Sequence, residues 1–236
     1  MKSVSAQRVF ERLYADADAL NRRNILELIG PGPYTSLCDL GCDDGSWTVE
    51  LAAACGHPKT YGVEIIASRA EIARSRGIEV VVSDLAQRFP FPDGEMEVVH
   101  ANQVIEHVPD VDHFMSEIQR ILAIGGLAII STENGSSWHN IFAAFMGWQI
   151  FSATNISTRT GGIGNPLALH RGTTGAVDSW THKTIFNFRG FRELAEVHHM
   201  KVVDIAGAGY HPLPATVGRF DPRHAHFLAL KAIKIA

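Results

Sequence analysis

The sequence lacks long apolar segments and runs of basic residues, and each absence excludes a class of protein. No apolar run approaches the length needed to span a membrane. The formal net charge is −4, and Lys and Arg are scattered rather than gathered into a stripe. Because nucleic-acid binding depends on a concentrated positive surface, we expect no nucleic-acid partner.

Cysteine is also scarce. Cys38, Cys42 and Cys55 are the three in the chain, and all fall within one short stretch. This number favours buried thiols in a reducing compartment over a disulfide framework or a metal cluster. The first residues contain no apolar signal region, so the sequence predicts a cytoplasmic location.

The length and composition suit one α/β domain. The chain has 236 residues, 46% of them hydrophobic, and contains no internal repeat or low-complexity tract. We predict a single domain over residues 1–236. Its parts are a leading helix (1–33), a cofactor-binding half (34–132), a substrate insertion (133–187) and the C-terminal half of the sheet (188–236).

Short apolar strands alternate with helices along most of the chain. This alternation predicts a doubly wound, mostly parallel sheet with helices on both faces. Predicted strands cover residues 36–40, 60–64, 79–83, 96–100, 127–130, 201–205 and about 225–233. Predicted helices cover residues 4–29, 46–55, 67–76, 111–124 and 188–200. Gly125 and Gly126 are expected to end the fourth of these helices.

The most informative motif is LCDLGCDDG at residues 37–45, followed by Glu64 at the end of the second predicted strand. A glycine turn after a strand, with an acidic residue about 20 positions later, is typical of a nucleoside-cofactor site. A dinucleotide loop needs glycine where this chain has Asp43, and Asp39 and Asp44 add further negative charge. Three carboxylates repel a pyrophosphate but attract an ammonium and a sulfonium. The loop therefore predicts S-adenosylmethionine (SAM) and disfavours a nicotinamide dinucleotide.

With these motifs the sequence resembles the class I SAM-dependent methyltransferases, in the small-molecule branch called type 11 or type 23. The resemblance covers residues 37 to about 132, and beyond them SWTHKTIF at 179–186 and FREL at 191–194 are only weakly similar. It implies a Rossmann-like sheet of seven strands with the last one antiparallel. The motifs that carry it are DLGCDDG (39–45), VE (63–64), SDL (83–85), FPDG (91–94), VVHANQVIEH (98–107) and ILAIGG (121–126).

The resemblance also assigns roles to cofactor-binding residues. Glycines of the first loop approach the methionine part of SAM, and its aspartates face the ammonium group. The Glu64 carboxylate accepts hydrogen bonds from both ribose hydroxyls. An alternative role for Asp43 or Asp44 is to cap the following helix. The complete set of expected cofactor residues is Asp39, Gly41, Cys42, Asp43, Gly45, Glu64, Ile65, Ser83, Asp84, Leu85, Asn102, Gln103 and His107.

Metal and proton-transfer groups are less clearly indicated. In ubiquinone-pathway and small-RNA methyltransferases, a Glu-x-x-Glu-His stretch holds a divalent metal, but here Gln103 replaces the first carboxylate. We therefore predict no metal. Transfer to an oxygen nucleophile requires a proton acceptor, which suits histidine. His182 is the first choice as catalytic base, followed by His139 and His107.

The predicted insertion is rich in aromatic residues and lies between strands five and six. Trp138, Phe142, Phe145 and Trp148 could form an aromatic lid that walls an apolar substrate pocket, or could simply pack the insertion onto the sheet. The expected activity is methyl transfer from SAM to a small or lipid-like acceptor, at oxygen. Two alternatives stay open: a non-catalytic SAM-binding protein and a nucleic-acid methyltransferase. The sequence leaves the oligomeric state open.

Overall fold

The computed structural model describes residues 2–175 and 178–236 and contains one seven-stranded sheet. The strands are β1 (Ser36–Leu40), β2 (Lys59–Glu64), β3 (Glu79–Val82), β4 (Met96–Asn102), β5 (Leu122–Glu133), β6 (Met200–Ala208) and β7 (Phe227–Lys234). Their order in the sheet is β3-β2-β1-β4-β5-β7-β6. Neighbours from β3 to β5 pair in parallel, whereas β7 pairs antiparallel with both β5 and β6. The predicted fold class is confirmed.

Helices cover both faces of this sheet. They are α1 (Lys2–Ile29), α2 (Ser46–Ala54), α3 (Ala67–Ser75), α4 (Val111–Ile121), α5 (Trp138–Phe145) and α6 (Phe188–Val197). One part of the core packs α4 and α6 against the sheet, and includes Phe114, Ile118 and Phe191. Another part, on α1 and α2, includes Ile25 and Leu51. None of the helices in the described part of the chain combines the length and apolar character needed to cross a membrane.

The boundary between α4 and β5 differs from the sequence prediction. The helix ends at Ile121 rather than at residue 124, because Leu122 already has extended backbone angles and pairs with Met96. Gly125 and Gly126 lie inside β5 instead of ending the helix. A side chain at Gly126 would approach the Glu97 carbonyl oxygen to 3.1 Å, so glycine is needed for close strand contact there. Helical spacing of apolar residues cannot reveal such a strand irregularity.

A partly buried arginine fixes the loop before β4. Arg120 on α4 donates to both Glu117 carboxylate oxygens at 2.7 Å and to the carbonyl oxygens of Phe89 and Phe91. It also donates to Asp93 at 2.7 Å. The guanidinium therefore holds the turn to the helix by charge-assisted bonds.

We expect Arg120→Ala to lower the free energy of unfolding by about 3 kcal/mol, because Glu117 would keep a buried charge without its partner. Urea unfolding measures this effect. Arg88→Ala is the matched control, since Arg88 is exposed and reaches the same Asp93 only at 3.7 Å. Equal stability of the two variants would contradict the role given to Arg120.

Candidate functional site

A cavity of about 700 Å³ opens at the carboxyl ends of β1, β2 and β4. A second cavity of about 150 Å³ adjoins it, and Gly41 and Asp43 line both. Ligands of doubly wound sheets bind at this edge, where the strand order reverses. Residues predicted for the cofactor that line the larger cavity are Gly41, Asp43, Glu64, Ile65, Ser83, Asp84, Leu85, Gln103 and His107. Those that line the smaller cavity are Asp39, Gly41, Cys42, Asp43 and Asn102.

Gly45 is the one predicted cofactor residue that lines neither of these cavities. It precedes α2 with a left-handed φ of 77°, and an added Cβ would lie 2.5 Å from the Ile78 side chain. Gly45 therefore allows the tight turn before α2 without lining either cavity. Gly41 has the same φ, and its Cβ position would lie 2.7 Å from Val104.

Glu64 holds the loop and still offers acceptors to a ligand. Its Oε2 accepts the Asp43 backbone N–H at 3.0 Å, and its Oε1 accepts the Ile66 N–H at 2.8 Å. The residue is only 8% exposed and lines the larger cavity. A carboxylate oxygen accepts more than one hydrogen bond, so each oxygen retains capacity for a hydroxyl group. This geometry suits a pair of ribose hydroxyls.

The Asp39 carboxylate is buried in a polar network at the base of the smaller cavity. Thr48 Oγ1 donates to it at 2.6 Å, and His100 Nδ1 lies 2.7 Å away. The opposite ring nitrogen of His100 faces the Trp47 indole N–H at 3.4 Å. Asp39 is therefore held in a fixed orientation by α2 and β4.

The other two loop aspartates also have partners. Asp43 forms an ion pair with Arg69 at 3.1 Å, and Asp44 pairs with Arg76 at 3.3 Å. Asp44 additionally accepts the Ser46 backbone N–H at 2.9 Å, but the N-cap of α2 is Gly45, so the capping role considered for an aspartate is not found. The acidic character of the loop is consequently reduced by nearby guanidinium groups, although exposed pairs of this kind interact weakly.

Arg22 on α1 is a site residue that the sequence did not indicate. It lines the smaller cavity, and its guanidinium lies 5.2 Å from the centroid of the Trp47 ring. Its neighbour Asn21 donates to Asn102 at 3.1 Å and to Ser131 at 2.9 Å, so α1 is fixed to the carboxyl ends of β4 and β5. Nothing local in the sequence marks this contact, because 81 positions separate Asn21 from Asn102.

Of the three histidines suggested as catalytic base, the structure brings His107 and His182 together. Their rings lie edge to face with centroids 4.8 Å apart. His107 Nδ1 faces the Thr181 carbonyl oxygen at 3.1 Å, and His182 Nδ1 faces that of Ser152 at 2.6 Å. Since a carbonyl only accepts, each Nδ1 is the protonated nitrogen and each Nε2 carries a lone pair.

Glu106 lies beside these two rings and is fully enclosed. Its Oε2 accepts from the Thr132 hydroxyl at 3.0 Å, whereas its Oε1 has no hydrogen-bond partner among the described residues. Burial raises the pKa of Glu106 to about 8 and lowers that of His107 to about 4. One ligand atom from each of Glu106, His107 and His182 lies within 4.8 Å of the others, so these residues could hold a divalent metal.

His139 lies elsewhere, in a cluster with His211 and His226. Four aromatic residues were expected as a pocket wall, and they line neither of these two cavities: Trp138, Phe142, Phe145 and Trp148. Phe145 is 86% exposed and Phe142 51% exposed, while Trp138 stacks on His224 with ring centroids 4.6 Å apart. The insertion contributes Ser179, Trp180 and Lys183 to the larger cavity instead.

The fold and the cavities are those of the Rossmann-like group, in which nucleoside-containing cofactors bind at the carboxyl edge of the sheet. Residues 8–195 match the family described as "Methyltransferase domain". The chain belongs to this family and is a class I SAM-dependent methyltransferase.

Curated relatives match over parts of the chain. They include the probable chloroplastic tocopherol O-methyltransferase of Oryza sativa subsp. japonica, 34% identical over 104 residues, which are 41% of this chain and 28% of that protein. The sterol 4-C-methyltransferase strm-1 of Caenorhabditis elegans is 31% identical over 99 residues, 39% of this chain and 29% of that protein. A demethylmenaquinone methyltransferase of Staphylococcus saprophyticus is 24% identical over 145 residues, 54% of this chain and 62% of that protein. The chain therefore spans less than two thirds of the length of these relatives.

Solved structures share the fold at low sequence identity. A methyltransferase of Thermotoga maritima, described as a possible histamine N-methyltransferase, aligns with a TM-score of 0.60 and 16% identity, over 95% of this chain and 94% of that one. The geranyl diphosphate C-methyltransferase of Streptomyces coelicolor aligns with a TM-score of 0.58 and 15% identity, over 92% and 80%. These likenesses concern the architecture alone.

Proposed function

We propose that this methyltransferase transfers the methyl group of SAM to an oxygen atom of a small, lipid-like acceptor. The observation that carries the proposal is Glu64, whose buried carboxylate organises the first loop and still presents hydrogen-bond capacity to the larger cavity. The relatives whose names mention tocopherol, sterol and demethylmenaquinone support a lipid-like acceptor.

The two adjoining cavities suit the two ends of SAM. In the larger one, Glu64 receives the ribose hydroxyls, Ile65 packs against the adenine, and Asp84 with the Leu85 backbone receives the adenine amino group. In the smaller one, Asp39 and Asp43 face the ammonium group, and Arg22, which also pairs with Asp18 at 3.1 Å, offers its guanidinium to the carboxylate. Gly41 lies between the two ends, where a side chain would collide with Val104.

Methyl transfer is an in-line displacement in which binding geometry supplies most of the rate. The acceptor oxygen attacks the methyl carbon as the carbon–sulfur bond breaks, and neutral S-adenosylhomocysteine leaves. The hydroxyl proton passes to a base, and His182 is the proposed base because its Nδ1 donates to the Ser152 carbonyl oxygen, which in the neutral ring leaves the Nε2 lone pair to accept the proton. A metal held by Glu106, His107 and His182 would instead polarise the acceptor oxygen.

The proposal is tested by incubating the protein with methyl-labelled SAM and separate lipid, small-metabolite and RNA fractions. We expect label to enter the lipid fraction as an alkali-stable ether. Label in RNA alone would favour the nucleic-acid alternative. Cofactor binding without label in any fraction would favour a non-catalytic SAM-binding protein.

With the active fraction as acceptor, we expect His182→Gln to lower kcat about 100-fold, which is typical for loss of a general base. SAM affinity should stay unchanged, and the residual rate should rise with pH as the acceptor ionises. His198→Gln is the control, because His198 lies at the end of α6 against Asp112. If chelation abolishes activity and a divalent cation restores it, the metal role replaces the base role.

A further inference from the structure

Three histidines from distant parts of the chain meet at the carboxyl edge of the sheet, apart from the residues assigned to SAM. His139 lies in the first turn of α5, His211 follows β6, and His226 immediately precedes β7. Their ring centroids lie 4.5 to 5.1 Å apart, and one ring nitrogen of each lies within 4.8 Å of the others. We refer to these three residues as the histidine cluster.

The hydrogen bonds within the described chain leave this cluster incompletely satisfied. His211 Nε2 and His226 Nδ1 are 2.8 Å apart and can share one proton. Within the described ranges, the one hydrogen-bond partner of His139 Nε2 is the Ser137 hydroxyl, at 3.4 Å. The buried His211 Nδ1 has no partner in the described residues. The nitrogens that face one another within the cluster therefore bond mainly to each other, and this is an arrangement that a shared ligand can replace.

The protonation state of the cluster matches that of metal ligands. Burial lowers the pKa of His139 to about 3, and it lowers the pKa values of His211 and His226 as well. Burial therefore favours the neutral form of all three rings. A neutral imidazole has a lone pair available for coordination.

A carboxylate lies behind His226, beyond direct hydrogen-bond distance. The Glu133 Oε1 atom lies 4.0 Å from His226 Nε2, on the side of the ring opposite to the nitrogen that faces His211. Its negative charge favours a proton on Nε2, which leaves the lone pair on the inner nitrogen. Here that inner nitrogen is His226 Nδ1.

A cavity of about 80 Å³ lies directly against the cluster. Its walls include Phe10 and Tyr14 of α1 and Phe151 and Leu167 of the insertion. Three protein ligands beside an open space are typical of zinc sites that keep a fourth position for water or a substrate oxygen, whereas structural zinc sites are closed by four protein ligands.

We propose that His139, His211 and His226 bind one Zn²⁺ ion, with its fourth coordination position open toward this cavity. The site is separate from the Glu106, His107 and His182 group, since Thr132 contacts Glu106 while the next residue, Glu133, contacts His226. Successive residues of a strand point to opposite faces of the sheet. The proposal does not depend on the acceptor or on the catalytic base.

The test uses the full-length protein, freed of metal with a chelator and then titrated with Zn²⁺ by calorimetry and with Co²⁺ by visible absorption. We expect one ion per chain and a Co²⁺ spectrum with ligand-field bands of nitrogen coordination. His139→Gln and His211→Gln should each weaken binding by more than about 100-fold, which exceeds the usual effect of losing an outer-shell partner. Glu133→Gln should weaken it about tenfold.

Control variants distinguish the histidine cluster from the Glu106, His107 and His182 group. His182→Gln should retain Co²⁺ binding, and circular dichroism and SAM affinity should show that the His139 and His211 variants are folded. The proposal is overturned if the protein binds neither ion, or if binding survives in both cluster variants. It is also overturned if binding is lost in His182→Gln and kept in His211→Gln, because the metal would then belong to the other group.

Discussion

Replacing Glu64 by alanine should weaken SAM binding about 1000-fold. Hydrogen bonds to a charged group contribute about 1.5–3 kcal/mol each, and two ribose hydroxyls would lose their acceptor. The backbone N–H groups of Asp43 and Ile66 would lose theirs as well, so the loop would be less well ordered. Calorimetric titration with SAM measures the change.

Two further variants make this experiment specific. Glu64→Gln keeps the shape of the side chain but places an amide NH₂ group against the N–H of Asp43 or Ile66, so we expect a loss nearly as large as for alanine. Glu79→Ala should bind normally, because Glu79 is exposed on β3 and pairs with Lys59 away from the cavity. Unchanged affinity of folded Glu64→Ala would remove the basis of the proposed function.

The second prediction concerns the pH dependence that Glu106 gives to the free energy of unfolding. Burial raises the pKa of this carboxyl from 4.5 to about 8, so the folded protein retains a proton that the unfolded chain releases. The corresponding stability is fully present below pH 4.5 and is lost as the pH rises through about 8. By linkage this amounts to about 5 kcal/mol across the interval.

Glu106→Gln should remove this dependence, because the amide keeps the shape and can accept from Thr132 but has no proton to release. In the presence of a chelator, we expect the variant to be more stable than the natural chain at about pH 8.5 and nearly equal to it at about pH 4.5. Glu50→Gln, on the exposed side of α2, should follow the natural chain. Parallel pH profiles of the natural chain and Glu106→Gln in urea unfolding would contradict a raised pKa at this position.

The sequence was sufficient for the parts of the molecule whose signals are local. The strand before Gly41, the acidic residue that ends β2 and the SDL turn are each recognisable within a few residues. Their relative positions then follow from the rule that parallel strands bring their carboxyl ends to one edge. The sheet and most of the residues that line the cofactor cavities could therefore be expected in advance.

Features that depend on contacts between distant segments could not be expected. Arg22 reaches the smaller cavity only because α1 packs beside β4 and β5, and the histidine cluster joins residues 139, 211 and 226. Aromatic composition alone left the role of the insertion open, because hydrophobicity does not reveal whether Phe142 and Phe145 face a cavity or the solvent. The predicted end of α4 was wrong for a related reason, because pairing with β4 favours extended backbone at Leu122.

The position of α1 has a consequence for how this enzyme could be diversified. Arg22 contacts the smaller cofactor cavity, and Phe10 and Tyr14 of the same helix border the cavity beside the histidine cluster. At 1.5 Å per residue, Arg22 lies about 12 Å from Tyr14 and about 18 Å from Phe10 along the axis of the helix. Substitutions at Phe10 and Tyr14 can thus reshape the cavity beside the histidine cluster without altering the sheet, while Arg22 keeps its place at the smaller cavity. Libraries confined to Phe10 and Tyr14 are accordingly the most economical way to vary this cavity alone.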